Sequence, residues 1–211
     1  MRELSPRDIS DFRDRVGEAA ATLYAQGGEA AITMREIART VGASPMGLYR
    51  YFEDRDAIIA FLRARAFNRF AEQLEMAFAK GKEPFARARA VGRAYLDFAL
   101  ANPGDYRLMF DLSQPNERDD SPLAKASARA TLTVTRHVND LVKAGIVVGN
   151  AQLVGRALWA AAHGVIVLHL AGRLPKGADV RELYFETMRL AFRGARTPSR
   201  KIQSITKRRR T

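Results

Sequence analysis

Residues 33–52, TMREIARTVGASPMGLYRYF, hold two short apolar-patterned segments separated by VGAS, with a glycine inside the break. Each segment is only about two helical turns long. Isolated helices below roughly 12–15 residues are marginal in water. Such a pair must therefore pack on something else, and the tight break fixes the angle between its members.

The rest of the chain supplies the support. Phe12, Val16, Ala20, Leu23 and Tyr24 recur at helical spacing within residues 8–27, and Gly27-Gly28 stops that segment. Thr33 with Glu36 three residues on is a capping-box pattern. Ser44 is placed to cap the second short helix, with Pro45 at its first position. Met34, Ile37, Ala38 and Val41 face one way on the first short helix; Leu48 and Phe52, with Tyr49 beside them, do so on the second. Packed on the Phe12–Val16–Leu23 stripe, these make a three-helix unit whose last two helices form a helix-turn-helix. The outermost helix, about 12 Å long at 1.5 Å per residue, suits a major groove about 12 Å wide.

Helical spacing continues to residue 194. The expected helices run from about Arg55 to Lys80 behind Asp54, from Pro84 to Asn102, through Tyr106–Leu112, and over 123–144, 150–172 and 179–194. TLTVTRHV and GVIVLHL are β-prone, but each lies inside a longer segment with helical spacing and is read as helix. The fold class is all-α: an N-terminal helix-turn-helix domain (1–55), a larger helical bundle (56–194) and a basic tail (195–211).

Charge points to a partner. The net charge is +12, yet residues 1–60 carry 8 basic against 10 acidic residues, and residues 195–211 carry 7 against none. A basic chain suits an anionic partner such as nucleic acid; a solvated surface with a disordered tail is the competing reading. There is no cysteine, hence no disulfide framework. No apolar run approaches the roughly 18 residues of a membrane span, and the N-terminus does not read as a signal peptide, so a cytoplasmic chain with no membrane partner is expected.

Residues 33–58 resemble the DNA-binding signature of the tetracycline-repressor (TetR/AcrR) family of bacterial transcriptional regulators. The matching positions are Thr33, Ile37-Ala38, Val41-Gly42, Ser44, Leu48-Tyr49 and Tyr51-Phe52, with Arg55 where the family carries lysine. NPGDYRLMF (102–110) and Trp159-Ala-Ala-Ala-His163-Gly164 resemble the C-terminal domain of the subgroup named for its Trp-His-Gly signature. The resemblance implies an all-α effector-binding and dimerisation domain and a double-stranded, near-palindromic operator.

Roles follow residue by residue. Thr33 can donate its hydroxyl and offer helix-terminal amides to a phosphate. Ser44, Tyr49 and Tyr51 can hydrogen-bond phosphates, and Arg55 adds charge. Arg35, Pro45, Met46, Gly47 and Arg50 are left for base edges or the groove wall, with Arg50 equally readable as a solvated arginine. Leu48, Phe52, Ile37 and Val41 are read as core.

In the C-terminal half, the helix over 150–172 is apolar on two stripes: Val154, Leu158, Ala161, Val165 and Leu168, and Trp159, Ala162, His163, Ile166 and Leu170. The last helix repeats the doubling, with Val180, Leu183, Thr187 and Leu190 against Tyr184, Phe185, Met188 and Phe192. One face of each is expected to serve its own domain and the other a twofold partner, giving a homodimer through the last two helices. Tyr95, Phe98, Met109, Phe110, Trp159 and His163 are the candidates for an effector pocket, each also readable as core. They point to a small, largely apolar effector. No cofactor or metal is expected. The histidines 163 and 169 lie six apart on different helix faces, and no phosphate loop, nucleophile elbow or carboxylate pair is seen, which argues against an enzyme. A ligand-free architectural DNA binder is the alternative.

Overall fold

The computed structural model describes residues 5–110 and 121–196. The expected tail, but for its first two residues, and most of the polar loop SQPNERDDSP lie outside the described residues.

The described residues form nine α-helices: α1 (Pro6–Gly27), α2 (Met34–Val41), α3 (Pro45–Leu48), α4 (Arg55–Lys80), α5 (Pro84–Ala101), α6 (Pro103–Met109), α7 (Pro122–Lys143), α8 (Ala151–Leu170) and α9 (Val180–Ala195). Local chemistry sets most starts. Ser5 and Asp8 form a reciprocal capping box on α1. Asp54 accepts the amide of Ala57 at 2.7 Å, and Asn150 and Asp179 cap α8 and α9 in the same way. Pro45 and Pro84 stand at first-turn positions. The β-prone stretches at 131–138 and 164–170 are helical, because packing of the whole segment overrides local preference.

Two details depart from the expected reading. A short 3₁₀ turn, Glu29–Ala31, precedes α2. And α3 is a single α-helical turn, about 6 Å long rather than 12 Å. Beyond it Tyr51 and Phe52 both donate to the Leu48 carbonyl at 2.9 and 3.0 Å, so the chain tightens into a turn that brings Phe52 inward.

By internal packing the chain forms two compact units. The first comprises α1 to α3, α4 as far as Arg69, α6 and the start of α7. Its core is Val16, Ala20, Ile32, Ile37, Leu48, Phe52, Ile58, Ile59, Leu62 and Leu108. Ile58, Ile59 and Leu62 carry this core beyond residue 55, where the sequence pattern placed the boundary. The second comprises the rest of α4, α5, the remainder of α7, α8 and α9. Phe70 packs edge-on against Tyr95 and Phe98, both with centroids 5.2 Å away, and Leu96, Leu141, Ile166 and Tyr184 are fully buried with it. Buried apolar surface of this kind is the main stabilising term for a helical unit.

One expectation is overturned. α8 is long and apolar enough to cross a membrane by length and composition. Its one charged residue, Arg156, does not interrupt the run enough to exclude it. Within its unit α8 packs on α9 and α5, with 28% of this apolar stretch buried.

Candidate functional site

In the first unit the α2–α3 pair is held by ties that run through the backbone. Gly42 takes the left-handed conformation (φ 69°, ψ 35°), and the Ala43 amide returns to the Ala38 carbonyl at 2.9 Å. A side chain at Gly42 would be strained there, so glycine sets the turn. Arg15 donates to the Val41 carbonyl at 2.6 Å, and Arg13 to the Tyr51 carbonyl at 2.7 Å while its guanidinium lies 4.4 Å from the Phe52 ring centroid. Phe12 stacks on Tyr51 at 4.4 Å. Arg13 and Arg15 were not singled out from the sequence. Their partners are 26 to 38 positions away, and no local pattern marks them.

At the start of α2, Thr33 Oγ1 accepts the Glu36 amide at 3.2 Å, and the Thr33 carbonyl accepts the Ile37 amide. Only half of the expected capping box forms, because the Glu36 carboxylate pairs with Arg39 at 2.9 Å. The Met34 and Arg35 amides are first-turn donors with no acceptor inside the helix. Arg35 projects outward, 87% exposed.

α3 separates its side chains cleanly. Leu48 is fully buried, whereas Met46 is 77% and Tyr49 52% exposed, with Arg50 exposed beside them. Ser44 Oγ accepts the Gly47 amide at 3.1 Å, which leaves its hydroxyl hydrogen for an outside acceptor. Pro45 is exposed, and Gly47 and Tyr51 are half-buried. A large apolar side chain held out on a one-turn helix, followed by an exposed tyrosine and an exposed arginine, is suited to a groove that offers both methyl groups and phosphates.

Arg55 is tied to the backbone ahead of α2. Its guanidinium donates to the Ile32 carbonyl at 2.7 Å, to the Glu29 carbonyl at 2.8 Å and to the Glu29 carboxylate at 2.9 Å. It clamps the turn that leads into Thr33. Arg55→Ala is therefore expected to cost about 1–3 kcal/mol of stability through the carbonyls left unpaired, measured by urea unfolding. Arg55→Lys restores the charge but not the fork. If Arg55→Lys matches the wild type in stability, the clamp is not the role of this residue.

The six expected effector residues fall in both units. Met109 is buried in the first unit, where Phe110 packs against Phe67 and Tyr106. In the second unit Tyr95 and Phe98 are buried core, and Trp159 Nε1 donates to the Tyr95 hydroxyl at 3.0 Å. His163 lies 6.4 Å from the Trp159 ring, with its pKa lowered by burial. One cavity of this unit, about 910 Å3, is lined from α5, α7, α8 and α9, and includes Phe85, Arg89, His137, Leu158, Tyr184 and Arg193, with none of the six among its lining. Its residues come from four separated segments, and their convergence has no sequence signature. Tyr184 donates to the Gly92 carbonyl at 2.9 Å, and burial pushes its pKa up, so it stays a neutral donor.

Comparison with known proteins bears on both units. Residues 18–61 match the family model described as bacterial regulatory proteins, tetR family. Residues 88–191 match the model described as a tetracyclin repressor-like C-terminal domain. An uncharacterized HTH-type transcriptional regulator from Mycobacterium tuberculosis (strain ATCC 25618 / H37Rv) is 36% identical over 84 residues, 40% of this chain and 42% of that protein. The chain spans about half the length or less of the curated relatives it matches. Among solved structures, a protein with unknown function from Rhodococcus sp. RHA1 is similar with a TM-score of 0.77 and 26% identity, over 88% of this chain and 95% of that one. A TetR family transcription regulator from Marinobacter aquaeolei VT8 shares the fold, with a TM-score of 0.69 at 17% identity over 92% and 100% of the two chains.

Proposed function

The chain belongs to the tetR family of bacterial transcriptional regulators, and from that premise we propose that it is a cytoplasmic, homodimeric repressor of a near-palindromic operator, released by a small-molecule effector. The family is one of non-enzymatic regulators. In this reading residues 1–55 read DNA, residues 56–194 bind the effector and pair the subunits, and the C-terminal domain is of the Trp-His-Gly subgroup.

The observation that carries DNA reading is the exposed trio Met46, Tyr49 and Arg50 on α3 and the turn that closes it, beside a Leu48 anchored at 0% exposure. Thr33, Ser44, Tyr49 and Tyr51 serve the phosphates, with the Met34 and Arg35 amides beside them and Arg55, one-third exposed, adding charge. Pro45 and Gly47 let the backbone of α3 approach closely. Arg35, Met46 and Arg50 face base edges or the groove wall. With α3 one turn long, few side chains reach bases, and a second half-site is needed for specificity.

The support for a dimer is an exposed apolar seam. On α8, Leu153, Ala157, Ala160, Val167 and Leu168 are exposed; on α9, Leu183 and Leu190 are. Leu158, Ala162, Val165 and Ile166, drawn from both expected α8 stripes, point inward instead. The outward face is a third stripe, rich in small residues that allow close approach. Two such helices from each subunit make an isologous four-helix contact.

Operator selection from random DNA tests the whole reading. A single near-palindromic site is expected. Tyr49→Phe should weaken binding to all sequences alike, because phosphate contacts carry no base information. Arg50→Ala or Met46→Ala should relax preference at defined positions, by about 1–3 kcal/mol per lost base contact. Uniform coating of DNA without a preferred site would instead favour an architectural binder.

A further inference from the structure

The cavity of the second unit combines two chemistries that rarely meet by chance. Its floor is apolar. Leu141 is fully buried and Leu158 nearly so, and the rings of Phe85 and Phe192 lie 5.6 Å apart at its side. Its rim is cationic, with Arg89 and Arg93 from α5 and Arg189, Arg193 and Arg196 from α9 and its end. We propose that this cavity binds an amphipathic anion, a carboxylate or phosphate monoester carrying an extended apolar body. The inference rests on the reading of the chain as an effector-responsive regulator, and gives the effector a place and a charged head that the sequence pattern did not suggest.

No carboxylate lines the cavity. Glu186 pairs with Arg189 and attracts Arg193 at longer range, but among the described residues Arg89, Arg93, Arg193 and Arg196 make no ion pair within 4 Å. Like charges gathered over a low-dielectric floor repel one another, and a bound anion relieves that repulsion while keeping the guanidinium forks satisfied. A nucleic-acid backbone would meet the arginines but leave the apolar floor uncovered. A neutral apolar ligand would cover the floor and leave the rim unmatched. The volume falls within the roughly 300–1,000 Å3 of small-molecule sites.

A second observation is independent of the arginines. His137 lines the same cavity, and its Nδ1 is buried without a hydrogen-bond partner. A buried polar atom left unsatisfied is costly, and such atoms in native folds often mark a site completed by a ligand or water.

The cavity is also pre-formed and kept clear. The Val148 amide donates to the Ala195 carbonyl at 3.0 Å, and Val147 bridges Arg196, which pins the end of α9 to the loop after α7. Phe185, Arg189, Phe192 and Arg196 occupy one flank of α9, at about 100° per residue, and Leu183, Leu190 and Gly194 the opposite flank. Pairing through Leu183 and Leu190 would turn the Phe185 flank of α9 away from the partner.

Calorimetric titration of the full chain with decanoate, decyl phosphate, decan-1-ol and inorganic phosphate tests the site. Both decyl anions are expected to bind at least about tenfold more tightly than decanol or inorganic phosphate. The tighter of the two identifies the head group. The double variant Arg89→Gln/Arg193→Gln, at exposed positions, should weaken both decyl anions about tenfold or more and leave decanol unchanged. Equal binding of decanol and decanoate, no binding of either anion, or an unchanged affinity in the double variant would overturn the site. Operator release is read separately. Arginine-dependent binding that leaves operator affinity unchanged supports the site and counts against the effector reading. Release by another ligand that the double variant does not alter, with neither anion bound, does the reverse.

Discussion

Leu190→Asp is expected to leave the chain folded, convert it from dimer to monomer, and lower affinity for a two-half-site operator by about 100-fold or more. Leu190 is 57% exposed in the single chain, and surface substitutions of that kind usually change stability by no more than about 0.5 kcal/mol. At a twofold interface the same change places two like charges in an apolar seam, where neither is paired. Operator affinity then falls because the second half-site is no longer held at high effective concentration, a factor of roughly 10²–10⁴. Leu153→Asp, 69% exposed on α8, should behave alike. Leu158→Asp should not. That side chain is 7% exposed on the apolar floor of the cavity, so a charge there should destabilise the second unit rather than separate two folded ones. Sedimentation at micromolar concentration distinguishes these outcomes. Variants at Leu190 and Leu153 that sediment as the wild type does would show that the seam is not the interface.

The contrast between Leu190 and Leu158 also shows where the sequence is informative. Starts and stops of helices were legible because they depend on side chains within a few positions: Asp54 for α4, Pro84 for α5, Gly42 between α2 and α3. The three-helix core was legible because Val16, Ile37 and Leu48 lie on amphipathic faces with one possible inside. α8 gave no such guide. A helix apolar on nearly every side does not say which stripe meets its own domain, and both expected stripes turned inward in part. The length of α3 was missed because Tyr49–Phe52 continues the apolar spacing, while the backbone closes into a turn to bury Phe52.

The site divides in the same way. Met46 could be placed on the outer helix from spacing alone, whereas Tyr49 and Arg50 lie in the turn beyond it. The ties of Arg55 could not be read, since its acceptors are the carbonyls of Glu29 and Ile32, 26 and 23 positions earlier. The arginine-rimmed cavity was invisible for a related reason. Arg89 and Arg193 stand more than a hundred positions apart, each an ordinary charged residue on an exposed helix face until α5 and α9 bring them to one rim.

Acid should destabilise the second unit well above the range in which ordinary carboxylates titrate, because of His137. Burial lowers its pKa from 6.5 to about 4, with Asp140 opposing the shift, and Asp140 is itself paired with Arg87 at 2.9 Å. Between pH 6.5 and 4 the unfolded chain therefore holds a proton at this position that the folded chain does not. Stability rises with pH wherever the unfolded state binds more protons. The contribution is thus fully present above about pH 6.5 and is lost as pH falls toward 4. At 1.36 kcal/mol per pKa unit its full size is about 3 kcal/mol, an upper figure. His163, half-buried with its pKa lowered by burial, adds in the same direction. His137→Gln removes the titrating group, and should flatten but not abolish the dependence of unfolding free energy on pH across this window. Urea unfolding at intervals between pH 7.5 and 4.5 reads the slope directly. Equal slopes for the wild type and His137→Gln would mean that His137 takes up its proton in the folded state as readily as in the unfolded chain, and that it is not the group through which acid acts.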